Sequence, residues 1–319
     1  MPGGAVFSAP MVKELGARSK LNGGQLSFVN YWFRHIWEYW WPLYPGVLLT
    51  VVLADINLSN FVLSMAPLTL VAIMLGQGPI RVIEGSNPQG AHARRPAIIP
   101  FLKELTPILI VIIPGLSIGL LLSRLWPDFP MGKETGLIIC LAVAIFWIWQ
   151  TNNFTGRQIR EALLDKHLLA MFYMVAAIFI FKGILSDSQA VNAISNDLIT
   201  LKIPLLIIIA LLPFMVGMIG GIAIAFVGST FPILIPMINS MGETQYMLAY
   251  IMLAMVCGFA GVLLSPLHLC LILSNEYFHT RLSSVYRYLG FPCIARVLSA
   301  FGYFGLLHWG RSMLVAVFP

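Results

Sequence analysis

The sequence predicts an all-α, polytopic transmembrane helical bundle with broken or re-entrant helices, in one transmembrane domain over residues 1–319. Two observations carry this. Hydrophobic residues make up 59% of the chain and charged residues only 10%, against about 25% charged in soluble domains, too few to clothe a water-soluble body of this size. The apolar residues also come in continuous runs near the about 20 residues a helix needs to span a bilayer. A membrane β-barrel would alternate apolar and polar positions, and only helices and closed barrels satisfy their backbone in lipid. The net charge of +6 points to basic cytoplasmic loops rather than to nucleic acid. The partners expected are the lipid bilayer and a small solute, with homo-oligomerisation left open.

In chain order, the opening stretch Met1–Val12 is apolar but too short to span, and it lacks the basic leader and cleavage site of a signal peptide. A polar, basic stretch with Lys13, Arg18, Lys20 and Arg34 follows. Tyr31, Trp32, Trp37, Tyr39, Trp40 and Trp41 then form a cluster that predicts an aromatic belt at headgroup depth. Spans are expected over Pro42–Ile56, Phe61–Gly78, Pro107–Leu125, Gly136–Gln150 and Leu168–Leu185. Loops rich in Lys and Arg (Arg81, Arg94, Arg95 and Lys103; Arg157, Arg160 and Lys166) alternate with loops that lack them. By the positive-inside rule the rich loops and the N-terminal segment are cytoplasmic, in a cell inner (plasma) membrane, and Asp187–Lys202 is an external loop carrying Asn192, Asn196 and Asp197. That orientation requires an odd number of crossings within 204–273, the second broken-helix region, before a basic loop and a last span over Phe291–Leu307.

Four cysteines, Cys140, Cys257, Cys270 and Cys293, show no CxxC spacing; they read as small packed residues, and the sequence assigns no metal. Enzyme signatures (HExxH, G-x-S-x-G, GxxxxGK[ST]) are absent. What stands out instead is a pair of similar interruptions. PGGAVFSAP over Pro2–Pro10 and GGIAIAFVGSTFP over Gly220–Pro232 each carry Gly-Gly, a short apolar stretch, a hydroxyl residue and a proline. Paired interrupted segments in two halves of a chain point to a transporter binding site. The candidate substrate-binding residues are therefore Gly3, Gly4, Ser8, Gly220, Gly221, Gly228, Ser229 and Thr230, joined by His268 inside the run Tyr246–Leu273, where GFAG (Gly258–Gly261) and SP (Ser265–Pro266) are expected to interrupt the helix. Lys182 is expected to snorkel to the interface, with a buried cation holding an anionic substrate as the alternative. Asp55 is expected at an interface, Asn275 and Glu276 at the cytoplasmic interface, and Arg296, His308 and Arg311 as anchors of the last span.

The segments PGGAVFSAPMV, NYWFRHIWEYWWPLYPG (Asn30–Gly46), FKGILSDS (Phe181–Ser188) and GFAGVLLSPLHLCLILSNEYF (Gly258–Phe278) together resemble the DUF401 family of prokaryotic integral membrane proteins. That family is similar to the ion transporter superfamily, which includes gluconate and citrate permeases. The resemblance implies an inverted-repeat transporter fold with two re-entrant hairpins. It also implies several helices ahead of the PGG motif, so that residues 1–12 are expected to be the remnant of a first hairpin, in a chain that is truncated or whose start is placed too late. The function expected is a secondary active transporter, or permease, of a small anionic solute, with Na⁺ or H⁺ as coupling ion and no other cofactor. The alternatives are a membrane-embedded lipid-modifying enzyme and an inactive truncated membrane protein.

Overall fold

In a computed structural model the chain folds into thirteen α-helices and one 3₁₀ turn among the described residues, which are 2–17, 21–78, 132–152, 155–164 and 166–317 with scattered positions between 106 and 125. The expected basic loop with Arg81, Arg94, Arg95 and Lys103 lies outside the described residues, as does about half of the expected span Pro107–Leu125. The helices are α1 (Pro2–Ala17), α2 (Gly23–His35), α3 (Pro45–Ala54), α4 (Leu58–Leu75), α5 (Gly132–Asn152), α6 (Gly156–Leu163), α7 (Lys166–Asp187), α8 (Ala190–Thr200), α9 (Leu205–Gly220), α10 (Ala223–Ser240), α11 (Met247–Leu264), α12 (Leu269–Tyr277) and α13 (Leu282–Val317).

Helices Leu58–Leu75 and Ala223–Ser240, the helical run Thr244–Tyr277 and the Leu282–Trp309 part of α13 are long and apolar enough to cross a membrane. Their outward faces say the same. Ile207, Leu211, Met215 and Ile219 recur every four residues along α9 and are all exposed, as are Leu63, Leu70 and Met74 on α4 and Phe291, Ile294, Leu298 and Leu306 on α13. Spacing of four residues puts such side chains on one helix face, and ridges this apolar belong against lipid.

Contacts divide the chain into two compact units, 1–89 with 175–319, and 90–174. In the second unit α5 buries Cys140 and Ala144 and exposes Ile145, Phe146, Trp147 and Ile148. Its neighbour α6 is polar, with Arg157 Nε 2.9 Å from Glu161 Oε1 one turn on.

The first unit is organised around α11, in which every residue but Leu248 and Leu264 is buried. α9, α10, α13, α4 and α3 pack on it. The sequence suggested that GFAG breaks this helix; it does not. Gly261 and Gly217 instead let α9 and α11 touch backbone to backbone, because a Cβ on Gly261 would collide with the Phe214 carbonyl and one on Gly217 with that of Gly258. Small residues at a membrane helix interface work this way, by close van der Waals packing.

Two further expectations are corrected. Pro2–Pro10 is not a broken hairpin arm but part of the continuous helix α1, and Gly228–Pro232 lies within the continuous helix α10. The 187–202 stretch, expected as a loop, is mostly α8, which packs on α10 through a hydrogen bond from Ser240 Oγ to the buried Ser195 Oγ, 2.9 Å. Asn196 and Asp197 are exposed on it. The region 204–273 holds the apolar helices α9, α10 and α11, of which α9 is the shortest at 16 residues, and the short helix α12 begins within it.

Candidate functional site

The ends of these helices gather in two groups. At one end meet the last residues of α3 and α10 and the first of α11: Ala54, Asp55, Ser240 and Met247 all line one cavity of about 900 Å³. At the other, the last residues of α2, α9 and α11 come together: His35, Gly221 and Ser265 to His268 are in mutual contact. At about 1.5 Å per residue the 18 residues of α11 separate the two groups by roughly 27 Å.

The cavity end is polar and open. Asn57, Asn60, Asn239, Ser240, Thr244 and Gln245 contribute amide and hydroxyl groups. Asn57 also caps α4, accepting from Ser59 N at 2.8 Å. Asp55, expected at an interface, is exposed here in the left-handed conformation that ends α3 (φ 51°). Lys182, half-buried in the wall, donates to the Leu53 carbonyl at 3.4 Å. Pro232 and Pro236 line the same space. Each removes the amide that would pair with the carbonyl four residues back, so the Gly228 and Pro232 carbonyls lose their helical donors beside a cavity, where bilayer-depth backbone tolerates it.

The other end is closed. The helix interruption at Ser265–His268 is satisfied by protein. Tyr31 donates to the Leu263 carbonyl (3.1 Å) and Tyr286 to that of Leu264 (2.8 Å), while Leu267 N donates to Ser265 Oγ (3.2 Å). Next to it, Asn30 is fully paired: its Oδ1 accepts from Ser8 Oγ (2.6 Å) and its Nδ2 donates to the Ala5 carbonyl (3.1 Å) and Ser274 Oγ (2.9 Å). Ser27 donates to Asn275 at 2.5 Å. His35 and His268 face each other with Nε2 atoms 3.1 Å apart, and Cys270 lies beside them.

Between the ends sits Arg296. It is 1% exposed, its guanidinium lies 4.0 Å over the Tyr39 ring and 5.5 Å from that of Phe259, and none of its three side-chain nitrogens has a hydrogen-bond partner. Tyr39 in turn is held by Thr69, 2.9 Å away.

Of the residues singled out in the sequence, the structure joins Gly221, His268 and Ser8 to the closed end. Gly221 ends α9 in the left-handed conformation (φ 63°) against Ser265 and His268. Ser8 reaches this region through Asn30, and Gly4 packs against the Arg34 guanidinium. Gly3 is in α1, and Gly220 is exposed at the end of α9. Gly228, Ser229 and Thr230 do not join the others. Gly228 packs on Ile178, while Ser229 donates to the Ala225 carbonyl and Thr230 to that of Phe226, both inside α10. Asn275 is buried rather than interfacial, and Glu276 is exposed. The aromatic cluster divides: Tyr31, Trp32 and Tyr39 are core, and Trp37 alone of the six is exposed.

Sequence reasoning missed His35 and misplaced Arg296. His35 sits among tryptophans and tyrosines that look like a belt. Arg296 stands near the start of an apolar run, as an anchor would; the available signal was that it lies five residues inside that run, beyond the reach of a simple flank.

The family described as "Protein of unknown function (DUF401)" matches residues 1–305. The chain belongs to the DUF401 family. No curated protein and no solved structure matches it.

Proposed function

We propose that this DUF401 chain belongs to a secondary transporter, a permease that carries a small anionic solute coupled to an ion gradient. It would sit in the inner membrane with its basic loops on the cytoplasmic side. The observation that carries the reading is Arg296. A buried, uncompensated charge costs several kcal/mol. Stacking on Tyr39 and Phe259 offsets about 1–2 kcal/mol of that. What is left favours an anion, because a guanidinium presents a planar fork that pairs a carboxylate through two parallel hydrogen bonds. Ionisable side chains at membrane depth mark substrate paths by default.

The cavity supports the same reading. It gives an anion a polar entrance with a cation, Lys182, in its wall. Coupling to Na⁺ or H⁺ is part of the proposal.

The test is uptake by the purified chain in proteoliposomes, with a panel of small mono-, di- and tricarboxylates under imposed Na⁺ and H⁺ gradients. Anion-dependent thermal stabilisation in detergent is the parallel measurement. We expect at least one carboxylate to be taken up and to raise Tm, with both effects lost in Arg296→Gln. Absence of uptake and of stabilisation across the panel overturns the reading.

A further inference from the structure

The closed end holds a cluster that neither the helix break nor anion transport requires. His35, from the last turn of α2, and His268 and Cys270, on either side of the start of α12, bring their ligand atoms within 4.8 Å of one another, and all three are buried. They are 233 and 2 residues apart in sequence, so only the fold assembles them.

The orientation of the imidazoles is informative. His35 Nδ1 lies 2.6 Å from the Tyr31 carbonyl. A carbonyl only accepts, so Nδ1 carries the proton and Nε2 presents a lone pair. That lone pair points at His268 Nε2, 3.1 Å away. His268 Nδ1 is buried and has no hydrogen-bond partner, so no backbone group fixes the tautomer of this ring. Two facing imidazole nitrogens repel unless a proton or a cation lies between them.

The spacing fits a metal. At Zn–N of about 2.05 Å and tetrahedral angles, two ligating nitrogens stand about 3.3 Å apart and a nitrogen and a sulfur about 3.6 Å. The imidazoles meet this as they stand, and Cys270 Sγ does so with a side-chain adjustment of about 1 Å. The outer shell is present too. The Tyr31 carbonyl holds His35, as metal-bound histidines are usually held, and Arg34 Nη2 lies 3.6 Å from Cys270 Sγ, where it favours the thiolate. Glu38 Oε1, 4.0 Å from His35 Nε2, adds a second negative charge. A divalent ion with one thiolate and one carboxylate is then neutral, which a membrane protein's interior demands.

We infer that His35, His268 and Cys270 form a binding site for one borderline-soft divalent cation of the zinc class, with the Glu38 carboxylate nearby. The site ties α2 to the broken end of α11 and the start of α12. It is separate from the anion reading, since Arg296 is not among its ligands and no transport is needed to test it.

The experiment uses the detergent-purified full chain with its affinity tag removed. Metal content is measured after equilibration with zinc alone, and the absorption spectrum after loading with cobalt alone. We expect one zinc per chain and a thiolate-to-cobalt charge-transfer band in the near ultraviolet. His268→Ala and Cys270→Ser should weaken zinc binding by at least the roughly 10–100-fold that loss of an outer partner alone costs. Cys293→Ser and His279→Asn, outside the cluster, should retain it. A chain that binds no more zinc than Cys270→Ser, or a cobalt spectrum without the thiolate band, overturns the proposal. The spectrum of the unaltered chain needs no variant to fold.

Discussion

The two ends of α11 solve one problem in opposite ways. At the Met247 end, Pro232 and Pro236 of the continuous helix α10, each lacking an amide donor, border a polar cavity of about 900 Å³. At the Leu264 end, interrupted backbone is sealed by tyrosine hydroxyls and a serine, next to a fully paired asparagine. Irregular backbone in a bilayer has to be either wetted or buried in protein, and this chain uses one remedy at each end. Polar residues at the closed end should therefore matter to stability, and polar residues at the open end to solute access.

Four substitutions probe that contrast. The largest stability effect should come from Asn30→Ala, which leaves the Ser274 hydroxyl and the Ala5 carbonyl short of a partner in a buried site, while Ser8 keeps its bond to the Gly4 carbonyl. At about 1–3 kcal/mol per stranded group, a loss of about 3 kcal/mol is expected in detergent melts. A melt indistinguishable from the parent would show that the closed end is wet after all.

Arg296→Met should act in the other direction. Removing an unpaired buried charge while keeping volume should raise stability by about 1–2 kcal/mol, net of the lost ring stacking, while abolishing anion uptake. A fall in Tm would mean that the guanidinium is already paired in the resting protein.

Gly221→Ala is expected to cost about 1–2 kcal/mol, because the position is left-handed at φ 63° and a Cβ would press on Ser265 Oγ at 2.9 Å. Its thermal shift should be smaller than that of Asn30→Ala. The smallest effect belongs to the open end. Asn239→Ala, at an exposed residue, should change stability by no more than about 0.5 kcal/mol. In the same spirit, a cysteine placed at exposed Asn60 should react quickly with a water-soluble maleimide, and native Cys270, 4% exposed, slowly.

The helical, membrane-crossing class of the fold was legible in residue order, because lipid demands long uncharged runs and the runs are there. Glycine and proline were less legible. The same Gly-Gly signal occurs in α1, which is unbroken, and at Gly220–Gly221, where a helix does end. Glycine permits a break and equally permits two backbones to touch, as at Gly217 and Gly261. Which of these happens depends on the neighbour, and a single strand of sequence carries no record of it.

Sequence by itself determined the solvent of this protein: a chain with 10% charged residues and apolar runs of this length requires lipid around it. Tertiary structure alone decided where the chemistry lies. His35 and His268 are 233 residues apart, and Arg296 reads as an anchor until α13 packs it onto Tyr39. The physical reason is one of range. Burial against lipid is a property of each segment taken singly, whereas the pairing of a polar group is a property of the two surfaces that meet.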